Sequence, residues 1–434
     1  MVIRFVDPAP PEEQAARQQR GDELFLRIFF TPDGTAQPSP LYRQLQDDVP
    51  VHVSGFGGAL LTRYDDCRAL LRDNRFGAGD GMPDSSFGGA DSPELAFRRE
   101  RQSRRIDEGT LSMLGLDPPS HTRQRSLVSR AFTPRMIDKL KPRITELVDA
   151  CLDQLADVGT GDLMELVAKP LPVSVISEML GVPATDWPQI RDHVTELVAV
   201  LEPNATFAQL QAAEAANDVL FDYFRSLIAT RRAHPEEDLI SGLIAAADGD
   251  DRLTENEILA VSVLLFAAGA ETTTNLIGNG TNQLLSHPQA LAALWADPSL
   301  VPAAVEEILR FDSPVQLDAR VCLEPAGFAG LDFDSGDRVI TLLGAANHDP
   351  AHFPDPDTFD IRRYAASERP AEPVMSFGSG IHYCLGANLA RAEGEIVFSS
   401  LIRRFSSISE AGDRVYRNSL VLRGLQSCPV TVRP

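Results

Sequence analysis

The residue with the greatest chemical reach in this chain is a cysteine set in a glycine-punctuated stretch, Phe377-Gly378-Ser379-Gly380-Ile381-His382-Tyr383-Cys384-Leu385-Gly386. Around and beyond it, the apolar positions Leu385, Leu389, Ile396 and Val397 interleave with Arg391, Glu393 and Glu395 in a helical pattern, so Cys384 falls near a helix N-terminus. Unpaired N–H groups and the positive end of the helix dipole there favour a thiolate over a thiol. Glycines 378, 380 and 386 remove side-chain bulk and permit positive φ, so the backbone could approach a flat, bulky cofactor closely. A structural cysteine beside a Gly-rich turn is the plainer reading of the same stretch, and a cysteine hydrolase pairing Cys384 with His382 is another. Zinc is less well served, because Cys67, Cys151, Cys322 and Cys428 are scattered and form no Cys-x-x-Cys pair.

Two further groups could do chemistry. Ala268-Gly269-Ala270-Glu271-Thr272-Thr273 places a carboxylate and hydroxyls at the centre of an apolar helical run, which is costly unless something satisfies or uses them. Gly269 permits close approach, and Thr272 can take a nearby carbonyl and open a local bulge. Read alone, the motif is also an ordinary helix kink. His121 and Arg125, after Pro118-Pro119, stand at i and i+4 on one helix face, which by itself suits a surface or capping pair.

Together these motifs resemble the cytochrome P450 family. Phe-Gly-x-Gly-x-His-x-Cys-x-Gly followed by Leu389-Ala390-Arg391 is similar to that family's haem-binding loop, and the similarity runs from about residue 39 to the end. The resemblance implies haem b with Cys384 as axial ligand to the iron. It implies cofactor contacts from Ala268, Gly269, Phe377, Gly378 and Gly386, and propionate partners in His121, Arg125, Arg320 and His382. Glu271 and Thr272 become the catalytic pair that delivers protons to dioxygen. Glu307, Arg310 and Arg363 become a structural trio, and Val315, Gln316, Leu317 and Val421 line the substrate pocket. The implied fold is mainly α with minor β: a helix-rich triangular single domain over 39–434, with a small N-terminal β region, C-terminal hairpins and an arm over 1–38.

The implied activity inserts one atom of dioxygen into an apolar small molecule, by hydroxylation or epoxidation, using NAD(P)H-derived electrons. No flavin or iron–sulfur segment is fused, so a ferredoxin with its reductase is the expected donor, docking near Arg123, Arg130 and Lys139. A peroxide-driven peroxygenase or decarboxylase on the same fold, or a non-catalytic haem protein, would have no need of Glu271 and Thr272.

The elements that must position these residues are partly readable. Val51–Val53 and Ala59–Thr62 suggest a hairpin, and Asp65 to Asp73 a helix. Residues 76–92 are punctuated by Gly, Asp, Ser and Pro, and helices follow one another from Met136 to about Leu227, broken at Glu202-Pro203-Asn204. By resemblance, the segments near 76–110 and 187–215 cover the pocket. Leu253-Thr254-Glu255-Asn256-Glu257-Ile258 is a capping box launching a long helix to about Ser286, stopped by His287-Pro288. Asp334-Ser335-Gly336-Asp337 suggests one hairpin turn, and Leu420–Leu422 with Pro429–Val432 a terminal hairpin. The net charge of −22 disfavours nucleic acid and anionic membrane as partners. No leader-like segment is evident, and five cysteines without framework spacing suit a reducing, cytoplasmic setting and a monomer.

Overall fold

The computed structural model describes residues 3–55, 57–79, 92–248, 251–365 and 372–434. Residues 80–91, most of the punctuated stretch at 76–92, lie outside the described residues. Helices hold 61% of the chain and the sheets are small, so the mainly helical class is the one observed. Contacts gather into two compact units, Met1–Gly79 with Asn279–Cys384 and Arg414–Gln426, and Asp80–Gly278 with Leu385–Asp413 and Ser427–Pro434.

The first unit is built on a five-stranded sheet. Val51–Val53 and Ala59–Leu61 pair antiparallel as the expected hairpin, Ala59–Leu61 then pairs parallel with Arg338–Thr341, and that strand pairs antiparallel with Asp318–Cys322. Phe76–Gly77 closes the far edge. Leu61, Tyr64, Leu70, Phe333, Val339 and Phe353 fill the core beside it. Residues 1–38, expected as an arm, include the twenty-residue helix Pro11–Phe30, which buries Leu24, Phe25, Ile28 and Phe29. Its start has prolines where a Ser, Thr or Asp cap would announce a helix, yet Pro is well suited to the first turn.

Two hairpin expectations are corrected in pairing. The strand before Asp334–Asp337, Leu331–Phe333, pairs with Ala326–Phe328 through a turn at Ala329-Gly330, where both residues have positive φ. The Asp334–Asp337 turn, closed by Asp337 N–H on Asp334 O at 3.1 Å, instead passes the chain to a different sheet. Likewise Pro429–Arg433 pairs with Ser407–Glu410 and Thr160–Asp162, while Leu422 bridges to Val315. Turn residues report where the chain bends, whereas strand partners are chosen by long-range burial.

The second unit is a helical body. Pro134–Val158 begins with a proline in its first turn, ends before Gly159 at φ 69°, and buries Ile137, Ile144, Val148, Cys151, Leu152 and Leu155 at three- and four-residue steps. It packs on Ala387–Arg404. Phe207–Ala233 starts in a capping box from Thr206 and Gln209 and packs on Trp187–Leu197. Glu255–Ser286 is 32 residues long, and its start is a capping box in fact: Thr254 N–H donates to Glu257 Oε2 at 2.7 Å, and Glu257 N–H to Thr254 Oγ1 at 3.2 Å. It is long and apolar enough to cross a membrane, but 78% of its apolar window is buried in the fold, as expected for a core helix.

Candidate active site

The cysteine loop is braced before it reaches its sulfur. Asn347 holds it twice, accepting from Met375 N–H at 2.7 Å and donating to Ser376 Oγ at 2.9 Å, and the Ser376 hydroxyl in turn donates to Leu309 O at 2.5 Å. Gly378 at φ 68° and Gly380 at φ 71° then reverse the chain, and Cys384 N–H donates to Phe377 O at 2.9 Å. The two glycines have different reasons. A Cβ on Gly380 would sit 1.9 Å from Leu71 O, so only glycine fits; a Cβ on Gly378 or Gly386 would meet nothing within 4 Å. His382 lies half-buried in the short Gly380–His382 turn. Gly386 is the N-cap of Ala387–Arg404, two residues beyond Cys384.

Exposure separates Cys384 from the other thiols. Cys67, Cys151, Cys322 and Cys428 are buried, and Cys384 is exposed. Burial pushes the Cys151 thiol up to about 11 and Cys67 well above its ordinary value, so neither is a thiolate near neutrality.

The helix under the loop carries the Glu307 network. Both Glu307 and Arg310 are fully buried; Arg310 donates to the two carboxylate oxygens at 2.8 Å each and to Asn347 O and Pro356 O at 2.9 Å. Arg363 Nε adds a contact to Glu307 Oε2 at 3.1 Å. In the same unit Gln316 N–H donates to Val421 O at 2.9 Å, placing Val315, Gln316 and Val421 side by side, with Leu317 buried next in line. The Gln316 amide itself is taken by Tyr42 and by Ser313 O, so its side chain serves the interior of its unit. Arg320 is buried and bonds Asp318 and Ala319 O.

In the second unit, Glu255–Ser286 runs α-helical without a break through Ala268–Thr273, so no bulge interrupts the assigned helix. Thr272 Oγ1 does take the Ala268 carbonyl, at 2.8 Å. Glu271 is buried, whereas Ala268 is exposed and Leu264 and Thr272 are partly so, an open stripe at four-residue spacing in a stretch, 258–284, that is otherwise buried apart from Gly269. The close approach that Gly269 permits is to Ile176, whose side chain a Cβ would meet at 3.1 Å; that glycine answers to helix packing. His121 is buried and Arg125 half-buried on Ser120–Ser129. Arg123, expected near the donor docking site, is half-buried, paired with Glu257 of the capping box, and bonds Arg252 O.

The cytochrome P450 family profile matches residues 90–422 of the chain. The chain belongs to the cytochrome P450 family. It is 40% identical to cytochrome P450 107B1 of Saccharopolyspora erythraea over 87% of this chain and 90% of that protein. It is 36% identical to 6-deoxyerythronolide B hydroxylase of the same organism, over 91% and 94%. Among solved structures, P450BioI in complex with an acyl carrier protein ligated to hexadec-9Z-enoic acid matches with a TM-score of 0.82 and 35% identity, covering 92% of this chain and 99% of that one. The P450 is thus a monooxygenase that uses haem, dioxygen and NAD(P)H-derived electrons.

The residues present fit haem. The exposed sulfur is presented by a loop with open ground at Gly378 and Gly386. Cys384 offers one exposed thiol, the kind of protein ligand that a haem iron takes. Asn347 is the functional support that motif reading missed. Its only sequence signal is a polar side chain between apolar residues and a His-Asp-Pro turn.

Proposed function

We propose that this P450 hydroxylates an apolar small molecule in the cytoplasm, with electrons from a ferredoxin and its reductase. The observation that carries the reading is Cys384, the exposed thiol at the end of a doubly braced loop. Relatives named 6-deoxyerythronolide B hydroxylase and vitamin D(3) 25-hydroxylase support attack on a C–H bond of a largely apolar molecule. None of the five cysteines forms a disulfide, which supports a reducing compartment.

When bound, haem supplies the redox chemistry that activates dioxygen. The chain's own residues do the rest. Cys384 Sγ would hold the iron, with Phe377 O and the Asn347 brace fixing its approach. Thr272 Oγ1, whose O–H donates to Ala268 O, lies on the open stripe and would pass on a proton, which the adjoining Glu271 carboxyl group would replace with one taken up from water. His121, Arg125 and His382 would hold the cofactor's carboxylates, with Arg320, bonded here to Asp318, as the fourth.

The test is the carbon monoxide spectrum of the reduced protein, followed by turnover with ferredoxin and reductase against turnover with hydrogen peroxide. Native protein should show the long-wavelength Soret band of thiolate ligation, and Cys384→Ser should lose it. Turnover with peroxide alone would replace the monooxygenase reading with a peroxygenase.

A further inference from the structure

The helix Pro93–Asp107 carries five arginines, at 98, 99, 101, 104 and 105, in a chain whose net charge is −22. Three of them are spent on neighbours. Arg98 donates to Val200 O and Glu202 O at 2.6 Å each, and Arg101 and Arg104 share the Glu214 carboxylate. Arg105 is different. Its guanidinium lies over the Phe221 ring, 5.4 Å from the centroid, and its Nε and Nη2 are buried with no acceptor among the described residues.

Nε–H and Nη2–H lie along one edge of the guanidinium, parallel donors spaced to meet both oxygens of a carboxylate. Glu108 and Asp218 act on the guanidinium only through space, and a buried cation whose donors meet no acceptor is expensive to keep. Burial and the neighbouring Arg101 and Arg104 push Arg105 down to about 9, still protonated at neutral pH, and an anion would relieve that strain on the charge. The surroundings on the other side are apolar: Phe221 is buried in the cluster that includes Leu220 and Phe224. One turn before Phe221 on the same face, Asn217 is buried with Oδ1 lacking a donor, a second polar group without a partner in the helix facing Arg105.

From this arrangement we infer that Arg105 is a carboxylate-binding residue, and that the substrate of this P450 is an apolar molecule bearing a carboxylate. The carboxylate pairs with the Nε and Nη2 edge, and the apolar body lies toward Phe221. This rests on the proposed function, since it names the class of molecule that the monooxygenase takes.

The experiment is calorimetric titration of the haem-loaded, full-length protein with decanoate against decanol and with cinnamate against cinnamyl alcohol. At least one acid should bind about 10- to 100-fold more tightly than its alcohol, the worth of a charge-assisted hydrogen bond. Arg105→Gln should bring the pair to parity without weakening the alcohol, and Arg105→Lys, which keeps the charge and loses the fork, should retain part of the preference. Equal affinity for acid and alcohol in both pairs, no binding of either acid, or a preference that survives Arg105→Gln would overturn the assignment. The carbon monoxide spectrum of the same preparation reports the thiolate reading separately, so one can fail while the other stands.

Discussion

Glu393 offers a direct test of the electrostatics of the helix that follows the cysteine loop. It lies in Ala387–Arg404 with 2% of its surface exposed, and its Oε2 has no hydrogen-bond partner among the described residues. Burial alone pushes its carboxyl from 4.5 up to about 8, so the side chain is neutral at pH 7. The unfolded chain gives up this proton near its ordinary value, and the folded chain holds it until about pH 8. Between those limits the unfolded state binds fewer protons, so stability falls as pH rises; below them the contribution is fully present. Each pH unit across the window costs about 1.4 kcal/mol, which comes to about 3 kcal/mol at pH 7 and up to about 5 kcal/mol by pH 8.

Glu393→Gln keeps the shape and removes the ionisation. Its extra N–H donors add a cost of about 1–3 kcal/mol that does not depend on pH, so the slope is diagnostic and the absolute level is not. Urea midpoints of the two proteins, measured from about pH 5 to 8, should diverge steadily in favour of the variant as pH rises. The infrared stretch of a protonated carboxyl at pH 7 should vanish in the variant. Parallel midpoint curves, or no such band in the native protein, would refute the reasoning.

Arg310→Ala leaves the fully buried Glu307 carboxylate short of its main partner, and should cost about 3–5 kcal/mol in urea unfolding. Gly380→Ala should lower both stability and the Soret band per mole of protein, because its Cβ would strike Leu71 O. Gly378→Ala, at φ 68° and ψ −158° with no atom in reach, should cost about 1–3 kcal/mol from backbone strain alone. Thr272→Ala removes one hydroxyl bonded to its own helix and should change stability by no more than about 0.5 kcal/mol. Its product formed per NAD(P)H consumed should fall, with hydrogen peroxide released in place of product; unchanged coupling would remove Thr272 from the proton path.

What could be read from the sequence was local, and what could not was decided by distant neighbours. The cysteine loop, the capping box at Thr254 and the Glu307–Arg310 spacing each fit within a few residues, so residue type and periodicity exposed them. That the Glu307–Arg310 pair is wholly buried and bonded to Asn347 O and Pro356 O was not local, and the same spacing on a surface would mean little. Gly269 shows the limit most clearly. The absence of a side chain signals that something comes close, but not what; here it is Ile176, far away in sequence. Gln316 carries an amide bonded to Ser313 nearby and to Tyr42, a partner that no local pattern announces. Arg123 reads in the sequence as a charge near which a donor docks, and in the fold it pairs with Glu257, which the helix cap needs. In each case the sequence states a capacity, to approach, to donate or to carry charge, and the fold assigns it to a partner. The unassigned capacities, the paired donors of Arg105 and the protonated carboxyl of Glu393, are therefore where new function and new pH dependence should be sought.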